Sequence, residues 1–422
     1  MSSFYDDSSL VLIPSGYKTS KIYAEKPTDG SGDLTFTRAS DATRVGPDGL
    51  IEKVRTNLLL RSQEFDNAYW AKEVGGLASA PVVTANAELA PDGTMTAERI
   101  VFNLNGSTLS AAISQIASAT ITLTAQENTS SIFLKTTDGS SKVFSMVNPD
   151  GAVKTITVTG TYQRFTNTSS DASAGGFRFR LRGGEGTADS ASIAAWGAQF
   201  ESGVATDYIP TTSAAVSVGP VSNVPRLDYL GSSCPRLLLE PQRTNVVTFS
   251  EQIDNAAWAN VRGVVTANST ISPSGYQDAD TFASAAAQAF PPALTRNPTY
   301  AGNTNYTLSV FAKVLGNTNT FRLDYVDNLT GFTGGGAIYN LATQVITITQ
   351  SPNASVTASM QDYGNGWYRL VLSFLTIATP TFNYFQIGQT TNDVANGFAI
   401  WGAQLEAGAY ATSYIPTLAA SV

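Results

Sequence analysis

Along much of the chain apolar and polar residues alternate one for one. Thr155-Ile156-Thr157-Val158-Thr159, Phe177-Arg178-Phe179-Arg180-Leu181, Tyr306-Thr307-Leu308-Ser309-Val310-Phe311 and Gln344-Val345-Ile346-Thr347-Ile348 alternate or concentrate β-formers, the period of strands that bury one face. Clusters such as Asp138-Gly139, Asn148-Pro149-Asp150-Gly151 and Gly364-Asn365-Gly366 separate these runs and read as tight turns. Many short antiparallel strands predict a sandwich or jelly roll, because a double sheet leaves few open edges. The stretches from Gln63 to Trp70 and from Ile253 to Trp258 allow a short helix each.

An internal duplication organises these strands. Arg55-Thr56-Asn57 recurs as Arg243-Thr244-Asn245, Ser62 as Ser250, and Asp66-Asn67-Ala68-x-Trp70-Ala71 as Asp254-Asn255-Ala256-x-Trp258-Ala259, all at one offset. Pro91-x-Gly93 with Ala97 and Glu98 matches Pro273-x-Gly275 with Ala279 and Asp280. Each copy closes alike, on Trp196-Gly197-Ala198-Gln199-Phe200-Glu201 and Trp401-Gly402-Ala403-Gln404-Leu405-Glu406, followed by Tyr208-Ile209-Pro210-Thr211 and Tyr414-Ile415-Pro416-Thr417. The expected fold is all-β: two tandem jelly-roll-like β-sandwiches over residues 51–212 and 240–422, with a linker at 213–239 and an N-terminal segment at 1–50. If the Arg-Thr-Asn segment opens each sandwich beside its closing strand, the two chain ends of each domain meet.

Composition narrows the chemistry. The chain has 422 residues, 42% hydrophobic and 14% charged, the balance of a globular protein. Histidine is absent, which removes Ser-His-Asp and Cys-His catalysis and every His-ligated metal site. The net charge of -8 argues against a nucleic-acid partner. Cys234 stands alone and reads as a small buried apolar residue. The apolar run near the start follows two aspartates without a basic region, so no secretory leader is read and synthesis in a cytoplasm is expected. The richest apolar stretch, Leu370 to Leu375, is too short for membrane insertion.

Tryptophans present in both copies read as core, since a feature shared by two divergent domains reflects their shared fold. Aromatics present in one copy are free to take a ligand. Trp367 and Tyr368, after the Gly364-Asn365-Gly366 turn, are therefore candidates to stack on a sugar ring, the alternative being strand residues that cover the core. A glycosidase needs two carboxylates at close range; Asp324 with Asp327 and Asp278 with Asp280 are near in sequence, but such pairs are mostly surface or turn residues, and no catalytic residue is assigned. Glu98 or Asp280 with Glu201 or Glu406 are candidate ligands of a structural Ca²⁺, against the plainer reading of surface carboxylates. Gly183-Gly184-Glu185-Gly186 and Gly334-Gly335-Gly336 do not open helices and make no phosphate cradle.

Several long words carry a resemblance. Ile13-Pro14-Ser15-Gly16-Tyr17-Lys18, Asp33-Leu34-Thr35-Phe36-Thr37-Arg38-Ala39-Ser40, Val224-Pro225-Arg226-Leu227-Asp228-Tyr229 and Pro235-Arg236-Leu237-Leu238-Leu239-Glu240-Pro241-Gln242 resemble head spike and head fibre proteins of tailed bacteriophages, and the closing words resemble the last strand of carbohydrate-binding-module-like jelly rolls in phage fibres. In contrast to the second copy, the first follows the N-terminal segment at Val54 without that connector, as an inserted domain would. The resemblance implies a non-enzymatic virion surface protein, a head fibre or capsid decoration. It further implies capsid proteins and cell-surface polysaccharide as partners and a symmetric homo-oligomer, a trimer first. Residues 1–50 would attach it, through Lys18, Lys21 and Lys26 and the apolar Leu10 to Ile13. The other function class is a polysaccharide-cleaving enzyme in which these domains are ancillary.

Overall fold

The structure, a computed structural model, describes residues 4–122, 127–170, 173–186, 189–285, 290–316, 318–330, 333–352, 354–391 and 397–422. The chain forms two compact units, Arg55–Val218 and, around it in sequence, Met1–Val54 with Gly219–Val422. Each unit contains one jelly-roll-like β-sandwich.

In the Arg55–Val218 unit two five-stranded antiparallel sheets face each other. One runs Val153–Val158, Lys142–Val147, Arg178–Arg182, Ile113–Ser118, Trp70–Gly75; the other runs Gln163–Ser169, Asn128–Thr136, Ser190–Ser202, Ala97–Asn103, Ser79–Glu88. The period-two pattern explains both faces: Phe177, Phe179 and Leu181 lie in the core with Phe65, Trp70, Phe102, Phe144 and Ile193, while the residues between them face outward. The short strand Arg55–Asn57 pairs antiparallel with Val216–Val218, so the unit's two ends lie side by side.

The larger unit repeats this plan with six strands in each sheet. The orders are Ala259–Val261, Ala293–Arg296, Tyr384–Gln389, Thr320–Asn328, Thr333–Asn340, Val345–Gln350 and Gly263–Thr270, Ala279–Ser284, Phe398–Ala407, Asn305–Val314, Trp367–Leu375, Ser355–Asp362. Its core gathers Trp258, Phe321, Tyr325, Tyr339, Phe374, Phe385 and Phe398. A small sheet of Val11–Lys18, Lys21–Lys26 and Leu34–Thr35 belongs to this unit's N-terminal segment.

Several expectations change. Residues 1–50, expected as a separate segment, and 219–239, expected as linker, belong to the larger unit, which takes in the chain up to Val54 and from Gly219. The Arg38 guanidinium donates to the carbonyls of Pro220 (2.9 Å), Val221 and Val224 (2.9 Å). Asp228 accepts the Val45 N–H at 2.9 Å, and Arg226 pairs with Glu240 at 2.9 Å. The words that carry the sequence resemblance therefore include the residues that brace this segment. The stretches at 63–70 and 253–258 are not helices but successive turns, in which Trp70 N donates to Asn67 O and Trp258 N to Asn255 O. Cys234 is exposed, next to a turn from Tyr229 to Ser232. Among the described residues no helix is long and apolar enough to cross a membrane.

Candidate functional site

The duplicated words form one hydrogen-bonded lock, built twice. Asn57 donates its amide to the carbonyls of Ala198 (3.1 Å) and Ile209 (2.8 Å) and accepts the N–H groups of Leu59 and Phe200, both at 3.1 Å. Asn245 does the same with Ala403 (3.1 Å), Ile415 (2.9 Å), Val247 and Leu405. Ser62 bonds the Tyr208 hydroxyl at 2.6 Å, and Ser250 bonds that of Tyr414 at 2.6 Å. The glycine of each Trp-Gly-Ala-Gln word has a left-handed φ, 66° at Gly197 and 64° at Gly402, which few other residues tolerate. A Cβ there would also sit tight against aromatic rings, 3.3 Å from Phe133 at Gly197 and 3.0 Å from Phe311 at Gly402.

This lock accounts for the candidate metal ligands. Glu201 accepts the Thr206 N–H (2.8 Å), the Thr206 hydroxyl (2.5 Å) and the Gln199 amide (2.6 Å); Glu406 accepts the same groups from Thr412 and Gln404. Glu98 instead accepts the Asp66 N–H at 2.9 Å, and Asp280 accepts those of Ile253 (2.8 Å), Asp254 (3.2 Å) and Asn268 (2.9 Å). In the ladder Glu98 lies opposite Ala195 and Asp280 opposite Ile400. Glu201 and Glu406 follow those positions by six residues, roughly 20 Å of strand, so neither pair can share an ion. Among the described residues no three Asp, Glu or Cys side chains converge on a metal position.

Burial pushes the Glu98 carboxyl up to about 8 and the Asp280 carboxyl up to about 7. A carboxyl whose folded pKa is raised stabilises most below its unfolded pKa, near 4.5 and 3.8 respectively, and this contribution is lost as pH rises through the folded value. The melting temperature of the Arg55–Val218 unit should therefore fall between pH 5 and 8. Glu98→Gln, which keeps an acceptor for Asp66, should flatten that slope and raise stability at pH 8 by on the order of 2 kcal/mol. Differential scanning calorimetry across the pH range checks this.

Trp367 is not available to a ligand. It is 2% exposed and packs with Ile51, Phe311, Trp401 and Tyr414, and its indole N–H donates to Ile271 O at 3.1 Å. The Gly-Asn-Gly turn before it gave no sign that Ile51 of the N-terminal segment closes over this corner. Tyr368 is half-buried against the core, and its hydroxyl accepts from Gln344 Nε2 at 3.3 Å. Beside Trp367's cluster, Lys53 reaches Glu251 (2.7 Å) and Asp278 (3.5 Å) and lies 5.3 Å from the centre of the Trp401 ring. Burial opposes the Lys53 charge, but the two carboxylates win and raise its pKa above the ordinary value. Asp278 stands where the first copy has Thr96, whose hydroxyl bonds the Trp196 indole at 3.0 Å. The duplicated position was thus adapted in the second copy to hold the N-terminal segment.

A preorganised polar chain lies elsewhere, on the outer face of the sheet containing Thr320–Asn328. The Tyr384 hydroxyl donates to Gln386 Oε1 (2.7 Å), Gln386 Nε2 donates to Asp324 Oδ2 (2.6 Å), and Arg322 Nε donates to the same oxygen (2.6 Å). Phe382 lies near the Tyr384 ring, their centroids 5.8 Å apart and planes inclined by 23°. Gly336 is required beneath this chain: a Cβ there would come within 2.1 Å of Asp324 Oδ1. Asp327 does not join Asp324. It is fully buried on the opposite face and accepts the Ile377 N–H at 2.8 Å. Sequence reasoning missed Tyr384 and Gln386 because the register that places them beside Asp324 links positions about 60 residues apart.

No family model matches the chain, and no curated protein sequence matches it. Among solved structures it is similar to the tandem CBM22-1-CBM22-2 domains of Xyn10C from Paenibacillus barcinonensis, at 12% identity over 88% of this chain and 100% of that one, with a TM-score of 0.27. A variant of the oxalate decarboxylase OxdC from Bacillus subtilis gives 10% identity over 77% and 74%, TM-score 0.13. Hazelnut vicilin, from Corylus avellana, gives 10% over 79% and 86%, TM-score 0.12. Likenesses at this level assign neither a ligand nor an activity.

Proposed function

We propose that this chain is a non-enzymatic surface protein of a phage particle, a head fibre or decoration protein, that adheres to glycans through its sandwich faces. The observation that carries the adhesive part is the chain from Tyr384 through Gln386 and Asp324 to Arg322, with Phe382 alongside. Its donors and acceptors are fixed before any ligand arrives, which lowers the ordering cost of binding. A half-exposed ring next to fixed polar groups suits a sugar, whose apolar face stacks while its hydroxyls bond. Cleavage would need two carboxylates facing one substrate, and Asp324 and Asp327 face opposite sides of their sheet.

Attachment is assigned to the N-terminal sheet. Ile13, Tyr23 and Leu34 of that sheet, with Phe4, Tyr5 and Leu10 just before it, are all exposed, apolar side chains of the kind that partners cover. In this reading a homo-oligomer, a trimer first, multiplies weak sugar contacts through effective concentration.

Tyr384→Ala in the full-length protein should abolish retardation by a neutral polysaccharide in affinity electrophoresis while leaving the melting temperature nearly unchanged. Retention equal to that of the unaltered protein would refute the adhesive site. Leu10→Asp with Ile13→Asp should remove the protein from particles; wild-type occupancy would refute the attachment.

A further inference from the structure

The outer face of the first sandwich carries different chemistry. Arg178–Arg182 is the middle strand of its five-stranded sheet; Phe179 and Leu181 enter the core, and Arg178, Arg180 and Arg182 face outward. The ladder sets Arg180 in a rank with Thr155, Ser145, Gln115 and Glu73, and Arg178 in the next rank with Val153, Val147, Ala117 and Ala71. Four inter-strand steps make each rank roughly 19 Å long.

The three guanidiniums are only partly neutralised. Glu185, from the Gly183-Gly184-Glu185-Gly186 turn, lies 3.4 Å from Arg180 and 2.9 Å from Arg182 and accepts from Ser145. Gln115 donates to Glu73. Burial, then the adjoining arginines, pull the Arg180 pKa below its ordinary value despite Glu185. Arg178 has no ion-pair partner among the described residues.

These arginines are not demanded by the fold. Taking Trp70 and Trp258 as equivalent, the rank Ala71, Ala117, Arg178 corresponds to Ala259, Thr295, Gln386, and Arg180 corresponds to Gly388. Inner positions stay apolar, with Phe179 matched by Ile387. Three arginines on one outer face of a chain with net charge -8 are therefore particular to this copy.

We propose that this face binds a carboxylate-bearing polysaccharide, Arg178 and Arg180 gripping a sugar carboxylate while the exposed Thr155 meets a hydroxyl at the end of the rank. Planar guanidiniums match a carboxylate through paired hydrogen bonds. Glu73 and Glu185 within the same face repel a polymer charged at every unit more densely, such as a polyphosphate backbone. The inference rests on the adhesive reading of the sandwiches but uses a separate surface.

The test is affinity electrophoresis of the intact protein in about 0.15 M salt with polygalacturonate, alginate or hyaluronate, and with dextran and dextran sulfate as neutral and dense-polyanion probes. At least one carboxylate polymer should retard the protein. Arg178→Gln should weaken that retention by at least about tenfold with an unchanged melting temperature, while Tyr384→Ala should leave it intact. Three results would each overturn the proposal: no retardation by any of the three carboxylate polymers, equal retention of the Arg178→Gln variant, or equal retention by dextran sulfate. Loss of neutral-glycan retention in Tyr384→Ala with carboxylate retention preserved separates this face from that of the second sandwich.

Discussion

Asn57→Ala should unfold the Arg55–Val218 unit well before the rest of the chain, at a cost of about 4 kcal/mol or more. The side chain is fully buried and saturates two carbonyls and two N–H groups. Alanine restores none of these bonds. Each buried group left unsatisfied costs about 1 to 3 kcal/mol, so even partial relaxation leaves a loss comparable with the whole stability of many domains. Asn57→Asp should also be severe, because it keeps the acceptors and loses both donors. Asn245→Ala should produce the same effect in the larger unit. Urea denaturation followed by tryptophan fluorescence checks both, and a loss below about 1 kcal/mol would mean that the lock is dispensable.

Lys53→Met should destabilise the larger unit by about 3 to 5 kcal/mol, the usual consequence of stranding buried charge. Glu251 already has a raised pKa, burial being the largest cause, and removal of the ammonium at 2.7 Å leaves it and Asp278 facing each other. The loss should shrink at acid pH, where the carboxyls protonate. It should also shrink when Glu251→Gln and Asp278→Asn accompany the lysine change, because no charge is then left without a partner. Thermal melts of the single and triple variants distinguish a triad that fastens the N-terminal segment from an incidental surface pairing, for which all variants would melt alike.

The fold was largely legible because the duplication marked its own fixed points. Asn57 and Asn245, Ser62 and Ser250, and the two Trp-Gly-Ala-Gln words recur because a buried hydrogen-bond network tolerates no partial substitution. Period-two patterning then supplied the faces. The candidate site was less legible for a related reason. Residues special to one copy had either adapted to the N-terminal segment, as Trp367 and Asp278 had, or diverged on an outer face, as Arg178 and Gln386 had. Only strand register and contacts between distant residues separate those two cases, and neither is written in local sequence. Glu98 and Glu201 illustrate the same limit: both are fixed by the fold, but the ladder that parts them is not visible in their spacing.

The interrupted larger unit also has a consequence during synthesis. Lys53 leaves the ribosome 198 residues before Glu251 and 225 before Asp278, a delay of roughly 10 to 45 s at 5 to 20 residues per second. Meanwhile the Arg55–Val218 unit emerges complete, with its own core and with its two terminal strands able to pair. The first sandwich can therefore close while Val45 and Ile51, buried in the finished protein, still lack the surface that covers them. Its closure brings residues 55 and 218 together and so shortens the effective loop between Lys53 and the later strands, which lowers the entropic cost of joining them. The inserted sandwich thus acts as a timed clasp: the segment made before it is held in reserve and is fastened only when the strands that follow it have been translated.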